Sequence, residues 1–301
     1  MSLCCHPPDR LTEKKFKIAI FATSLIFIIE VAGGFWANSL ALLSDAVHLF
    51  MDVFSLFLSW GALKFSRLPA TDKRTFGFHR LEIFAAFLNG ISLLIISVII
   101  FRESWERFFS PEPVKGVTML LVAVLGLMVN LLVVFYLRDT NKNDLNLHSA
   151  VLHILGDALA SVGVIAGGLI ILLTGYFLVD SIISFLISII IAVGSVRIIL
   201  KSSHILLEGV PEGINLDNVV SSLTQINGVT GVHGIHIWSI CSNVFSLSAH
   251  ITVKDQSISS GKIILNEVND VLVNKYKITN NTIQFECDEC EDNSLYKNLS
   301  H

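Results

Sequence analysis

Six stretches of almost unbroken apolar residues occupy the first two thirds of the chain: Phe16–Ala37, Leu40–Leu63, Leu81–Phe101, Val117–Leu137, Leu147–Leu173 and Phe177–Leu200. At about 1.5 Å of rise per residue, each can cross a hydrocarbon layer of about 30 Å as a helix, so the pattern predicts six membrane spans. Past Leu206 the pattern changes. Glu208-Gly-Val-Pro211 reads as a hinge and Asn215–Gln225 has helical spacing. Val232–Ile240 and Phe245–Val253 alternate with the period of strands, Lys262–Tyr276 suits an amphipathic helix, and Asn281–Glu286 suits a last strand.

The order αββαβ after the spans fits a small ferredoxin-like unit. The expected fold is therefore an α-helical membrane protein with six transmembrane helices and a C-terminal α+β ferredoxin-like cytoplasmic domain. Its expected parts are a cytoplasmic tail over 1–15, the membrane domain over 16–205, the cytoplasmic domain over 206–290 and a tail over 291–301. Only 15% of residues are charged, against about 25% in soluble domains, which argues against an ordinary soluble enzyme. Basic residues exceed acidic ones by two up to residue 206, and the remainder carries a net −6. The first span follows Arg10, Lys14, Lys15 and Lys17 without a small-residue cleavage site, so it reads as retained. With both termini cytoplasmic, the inner ends and loops also collect Lys64, Arg67, Lys73, Arg74, Arg80, Arg138, Lys142, Arg197 and Lys201. The outside keeps mainly Arg102, Arg107 and Lys115, as the positive-inside rule requires. A C-terminal domain of about 85 residues buries only a modest core and gains from pairing with a second copy, a first indication of a homodimer.

Charged and imidazole side chains are costly inside a bilayer, so their positions in the spans carry the first functional signal. The second span reads Ser44-Asp-Ala-Val-His48-Leu-Phe-Met-Asp52 and the fifth Ser149-Ala-Val-Leu-His153-Ile-Leu-Gly-Asp157; both are SxxxHxxxD. Positions i and i+4 share a helix face, so each pair presents an imidazole and a carboxylate one turn apart. Two such helices facing each other supply two His and two Asp, a tetrahedral set suited to Zn²⁺. A single HxxxD is as readily an internal hydrogen bond; its recurrence in two spans favours one transport site on His48, Asp52, His153 and Asp157, near the bilayer midplane. Protons compete with a metal for such ligands, and an imidazole with a reference pKa of about 6.5 can exchange one for the other near physiological pH. Asp45, three residues before His48, is a candidate for relaying protons or supporting the ligands, weighed evenly against a polar role at a helix interface. Glu30, Glu82 and Asn89 read as inter-helix hydrogen bonds, and Gly163 with Gly167 as a GxxxG packing face.

These segments resemble the cation diffusion facilitator family, in particular its zinc-type (cadmium/zinc/cobalt-resistance-like) members, which carry HxxxD on both the second and fifth spans. The resemblance covers most of the chain. It rests also on Ser39-Leu-Ala-Leu-Leu-Ser-Asp-Ala-Val-His48, Phe76-Gly-Phe-His-Arg-Leu-Glu82 with Asn89, Leu207-Glu-Gly-Val-Pro211 and Val232-His-Gly-Ile-His-Ile-Trp238. It implies a homodimeric, proton-coupled exporter of divalent cations that alternates between inward-facing and outward-facing states, with the four motif residues as its transport site. In related proteins an Asp in place of the first His accompanies broader tolerance of cadmium, so His48 implies zinc.

A second candidate metal set lies in the C-terminal domain: His233 and His250 on adjacent expected strands, with Glu286 and Asp288 near the end of the last. In resembling proteins these places help hold zinc at the dimer's cytoplasmic interface, and this chain has Glu286 where some members have His. His236 alternates onto the face opposite His233 and is expected to pack beside Trp238. Cys4-Cys5-His6 and Cys287-Asp-Glu-Cys290 share the expected cytoplasmic side, where thiols stay reduced and tend to bind metals. Some family members join an N-terminal Cys/His segment to a C-terminal CxxC. The same thiolate site on Cys4, Cys5, His6, Cys287 and Cys290 weighs evenly here against solvated, unused tails. Cys241 is expected to be buried. The stretch Thr71–His79 has no evident ligand set and carries two cations.

The leading expectation is a Zn²⁺/H⁺ antiporter of a bacterial cytoplasmic membrane, not an enzyme, with zinc as its substrate and as a structural ion in its cytoplasmic domain. No nucleic-acid partner is expected. The chain has no GxxxxGK[ST] loop to support ATP drive and no HExxH to support an intramembrane metalloenzyme. The competing class is a membrane-bound metal sensor without net transport, against which the duplicated intramembrane set speaks.

Overall fold

The structure, a computed structural model, describes residues 10–66, 71–138, 161–241 and 244–287. Its first part is helical: α1 (Arg10–Ala37), α2 (Leu40–Ser66), α3 (Arg80–Phe109), α4 (Gly116–Arg138), α5 (Ser161–Thr174) and α6 (Leu178–Leu206). Among the described residues α1, α3, α4 and α6 contain stretches long and apolar enough to cross a membrane, and α2 runs for 27 residues. Phe21, Ile99, Leu132, Phe135 and Ile190 are exposed on these helices, the arrangement expected of a bundle whose solvent is lipid. α1 starts at Arg10, six residues before the expected span, because Arg-Leu-Thr-Glu-Lys-Lys contains no helix breaker. Only the part of the fifth expected span from Ser161 onward lies among the described residues.

The α1–α2 turn is the most heavily tied point of the membrane unit. α1 ends in a Schellman motif: Asn38 takes the left-handed conformation (φ 55°), Ser39 N–H donates to Gly34 O at 3.0 Å and Asn38 N–H to Phe35 O at 3.3 Å. Ser39 then caps α2, its hydroxyl oxygen accepting from Leu42 N–H at 3.1 Å. The buried carboxylate of Asp180, in the first turn of α6, completes the cap. It accepts the Ser39 hydroxyl at 2.5 Å, Leu40 N–H at 2.8 Å and Ala41 N–H at 3.3 Å. Arg107 of α3 donates to Asn38 O at 3.0 Å, and Lys115 N–H to Ala37 O at 2.9 Å. The apolar interior behind this turn is built from small residues, Ala37, Ala41 and Ala123, with Leu42, Met119 and Ile191. On α5 the close approaches fall at Gly167, against Ile183, and at Gly168, against the backbone of Leu120. A side chain at Gly163 meets nothing within 4 Å among the described residues, so the packing role expected of the Gly163–Gly167 pair belongs to Gly167 with Gly168.

The C-terminal unit runs α7 (Leu216–Thr224), β1 (Val229–Cys241), β2 (Val244–Val253), α8 (Ile258–Tyr276) and β3 (Ile278–Glu286), the expected αββαβ order. Asn215 caps α7 and Ser257 caps α8. The sheet order is β1-β2-β3, with β1 antiparallel to β2 and β2 parallel to β3. The parallel pair requires a crossover, which α8 supplies. Ile264, Val268 and Leu272, one helical turn apart, join Val219 and Leu223 of α7 against Ile235, Leu247 and Ile251 of the sheet to form the core. Between His233 and His236 the β1–β2 register slips, with Gly234 at φ 55° forming a β-bulge. At the exit of α6, Glu208 adopts the left-handed conformation (φ 61°) and pairs with Arg80 at 2.8 Å. Lys201 bonds Glu212 at 2.6 Å, and that bond, with the charge behind it, holds the Glu212 carboxyl below the usual carboxylate range.

Two stability predictions follow from these ties. Asp180→Ala strands one hydroxyl and two N–H groups in an apolar interior at about 1–3 kcal/mol for each group left unsatisfied. The apparent melting temperature of the detergent-purified protein should fall by several degrees, and Asp180→Asn, which keeps an acceptor oxygen, should fall by less. Gly234→Val forces a β-branched residue into positive φ at about 1–3 kcal/mol. Hydrogen exchange across β1 and β2 should accelerate while exchange in α4 stays as it was.

Candidate metal sites

In the membrane unit the candidate set starts on α2. Asp45 is 2% exposed and accepts a hydrogen bond from the Ser161 hydroxyl of α5 at 3.1 Å. His48 follows one turn along, half-buried. Asp52 is placed one turn further by the backbone of α2, with its side chain outside those described, and His153 and Asp157 lie outside the described residues. What the structure brings together is therefore α2, which carries the first motif, and α5, meeting at Asp45 and Ser161. Glu30 of α1 is fully buried, and neither carboxylate oxygen has a hydrogen-bond partner among the described residues, so the inter-helix hydrogen bond expected of it is not made among them. The reason is local. Glu30 faces Gly126 of α4, which supplies space without a side-chain donor. Asn130, one turn along α4, is also buried, and its side-chain nitrogen has no hydrogen-bond partner among the described residues. Asn89 is buried at 5% exposure and Glu82 is half-buried.

In the C-terminal unit three of the four expected residues converge. His233 and His250 are cross-strand partners on β1 and β2, with ring centroids 5.3 Å apart. Glu286 closes β3 and reaches both rings, one oxygen 2.6 Å from His250 Nδ1 and the other 2.9 Å from His233 Nε2. Gln284 donates to the same carboxylate at 3.0 Å. His233 is only 6% exposed. Its Nε2 lies 2.9 Å from a Glu286 oxygen without hydrogen-bond geometry and has no hydrogen-bond partner among the described residues. One donor atom from each of the three residues lies within 4.8 Å of the others. Two imidazole nitrogens and a carboxylate at this spacing, one of them a buried nitrogen short of a hydrogen bond, fit the chemistry of a Zn²⁺ site that takes a further ligand. Asp288 lies outside the described residues.

His236 departs from expectation. The bulge at Gly234 sets two residues of β1 against one of β2, so His236 pairs with Ser248 and returns to the sheet face that carries His233 and His250. It is exposed rather than packed. Cys241 is buried, as expected, and Cys287 is exposed directly after β3, whereas Cys4, Cys5, His6 and Cys290 lie outside the described residues. Sequence reasoning passed over Asp180 and Asn130. The signal was available, because each is a lone polar residue within an apolar segment, the same argument that singled out Asp45.

Comparison with known proteins shows the family. Residues 16–207 match the model of the cation efflux transmembrane domain, and residues 211–288 that of the cation efflux protein cytoplasmic domain. The metal cation efflux system protein CzcD of Cupriavidus metallidurans is 40% identical over 95% of this chain and 90% of its own length. The cadmium, cobalt and zinc/H(+)-K(+) antiporter of Bacillus subtilis is 38% identical over 91% and 89%, and the zinc transporter ZitB of Escherichia coli K12 is 35% identical over 97% and 93%. The solved metal-bound C-terminal domain of the CzcD transporter of Cupriavidus metallidurans covers 24% of this chain and 99% of that chain at 33% identity, with a TM-score of 0.23. With both family models matched in order and relatives alike over nearly the full length, this chain belongs to the cation efflux, or cation diffusion facilitator, family.

Proposed function

We propose that the protein exports divalent cations, Zn²⁺ above all, from the cytoplasm in exchange for protons by alternating access. The observation that supports this reading is the contact of α2, which carries the first HxxxD, with α5 at Asp45 and Ser161, Ser161 following Asp157 of the second HxxxD by four residues in the sequence. Its relatives' names speak for the same ion and drive: a zinc transporter, and an antiporter of cadmium, cobalt and zinc against H⁺ and K⁺. His48, Asp52, His153 and Asp157 hold the cation. Bound metal needs neutral imidazoles and ionised carboxylates, so protons arriving from the far side displace it and metal arriving from the cytoplasm displaces them. Asp45, buried beside this path, passes protons toward the ligands. Both termini face the cytoplasm, consistent with the basic residues collected on that side, and a homodimer forms through the cytoplasmic domain.

His233, His250 and Glu286, with Asp288 near them, hold a second Zn²⁺ in the cytoplasmic domain. That ion ties β1, β2 and β3 together and plays no part in the translocation step. The two tails add a thiolate site from Cys4, Cys5, His6, Cys287 and Cys290.

Two measurements test these assignments. In proteoliposomes, His48→Ala and His153→Ala should each lower zinc-driven proton flux at least tenfold; full flux in both variants refutes the transport site. Elemental analysis of the full-length protein should show Glu286→Ala retaining less zinc per chain than the parent, with transport-site occupancy read separately from a His48→Ala background. A protein lacking both tails should lose further zinc, and unchanged stoichiometry removes the thiolate site from the proposal.

A further inference from the structure

The loop between α2 and α3 lies against the C-terminal sheet across a cleft of about 810 Å³. Three cations line it, Lys73, Arg74 and Arg80, against a single lining carboxylate, Glu208. Glu208 is taken by Arg80 at 2.8 Å. That leaves Lys73 and Arg74 without an ion-pair partner among the described residues; Asp72, the adjacent acid at the turn, is not part of the lining.

The backbone of the loop is fixed around these two residues. Thr71 and Arg74 exchange backbone hydrogen bonds at 3.1 and 2.9 Å, Gly77 N–H donates to Arg74 O at 2.9 Å, and Gly77 takes the positive φ (67°) that the turn requires. The Arg74 guanidinium lies 4.4 Å from the centroid of the Phe78 ring, which fixes its plane. The opposite wall comes from the sheet face that the Gly234 bulge exposes, with His236, Trp238 and Ser248. Phe76, 55% exposed, and Val210, 39% exposed, add apolar surface.

A planar guanidinium beside an ammonium is a recognition set for phosphate oxygens. The loop joins the ends of two membrane helices, so the cleft opens at the level of lipid headgroups. Inorganic phosphate would occupy a small fraction of the volume and leave the apolar surface of Phe76, Val210 and Trp238 uncovered. A glycerophosphate headgroup covers both. We propose that the cleft binds the phosphate headgroup of an anionic phospholipid, which bridges the α2–α3 loop and the C-terminal sheet. This inference depends on the membrane fold and not on the transport reading.

Native mass spectrometry of the full-length protein in detergent, titrated with phosphatidylglycerol, phosphatidylcholine or inorganic phosphate, tests it. Phosphatidylglycerol should bind at least tenfold more tightly than phosphatidylcholine and resist millimolar phosphate. With about 1 kcal/mol attributed to each basic residue, Lys73→Ala/Arg74→Ala should weaken phosphatidylglycerol roughly 30-fold. The charge-matched Lys254→Ala/Lys262→Ala, removing cations outside the cleft, should leave binding as it was. Equal weakening by both double variants would mean diffuse attraction, and undiminished binding by the first would mean another site; either overturns the proposal. Displacement by inorganic phosphate would assign the cleft to a free anion and overturns the lipid. If the first variant fails to fold, Lys73→Gln/Arg74→Gln, which removes the charges and keeps most of each side chain, is read the same way and decides.

Discussion

The carboxylate of Asp180 sits where water is excluded, and it is tolerated there because the Ser39 hydroxyl and the N–H groups of Leu40 and Ala41 all point at it. The reverse holds as well. The first N–H groups of a helix buried in an apolar interior need acceptors, and α6 supplies them to α2. The origin of α2 is thereby set by a residue some 140 positions later in the chain. Everything α2 carries inherits that origin: Asp45 at its contact with α5, then His48, then Asp52. The Schellman turn before it and the Arg107 contact on Asn38 O brace the same point from α1 and α3. A carboxylate this well satisfied contrasts with Glu30, buried in the same unit with both oxygens unpaired among the described residues.

The C-terminal unit solves a different problem, since its polar groups have water on one side. Its core takes one face of the sheet and both helices, which frees the other face for chemistry. The Gly234 bulge is what makes that face useful. By absorbing one residue of β1, it aligns His233 with His250 and then returns His236 to the same side beside Ser248. One end of the face carries the imidazole–carboxylate cluster and the other forms a wall of the cationic cleft. A glycine with positive φ therefore serves two places on one sheet surface.

Much of this architecture was legible from pattern. Apolar length located the helices, and the switch from helical to alternating spacing located αββαβ, because those periods come directly from backbone geometry. The boundaries moved outward where no breaker stood, as at Arg10. The HxxxD pair stood out because the same spacing recurred in two spans. Failures have equally local causes. Strict alternation put His236 on the wrong face because a bulge changes parity, and Gly234 was the one visible cue. Glu30 was read as a hydrogen-bonding residue because burial without a partner is an outcome of packing against Gly126, which no spacing reveals. Asp180 was overlooked beside the better-known motif, although its isolation in an apolar segment was signal enough.

The parallel pairing of β3 with β2 has one more effect. Glu286 reaches His233 and His250 only after α8 has crossed back and the last strand has docked. During synthesis the two imidazoles emerge from the ribosome well before their carboxylate partner, and the hairpin that bears them forms without it. The three-donor cluster is thus completed only when β3 docks on β2. A nascent chain cannot offer it to any ion until β3 has closed the sheet.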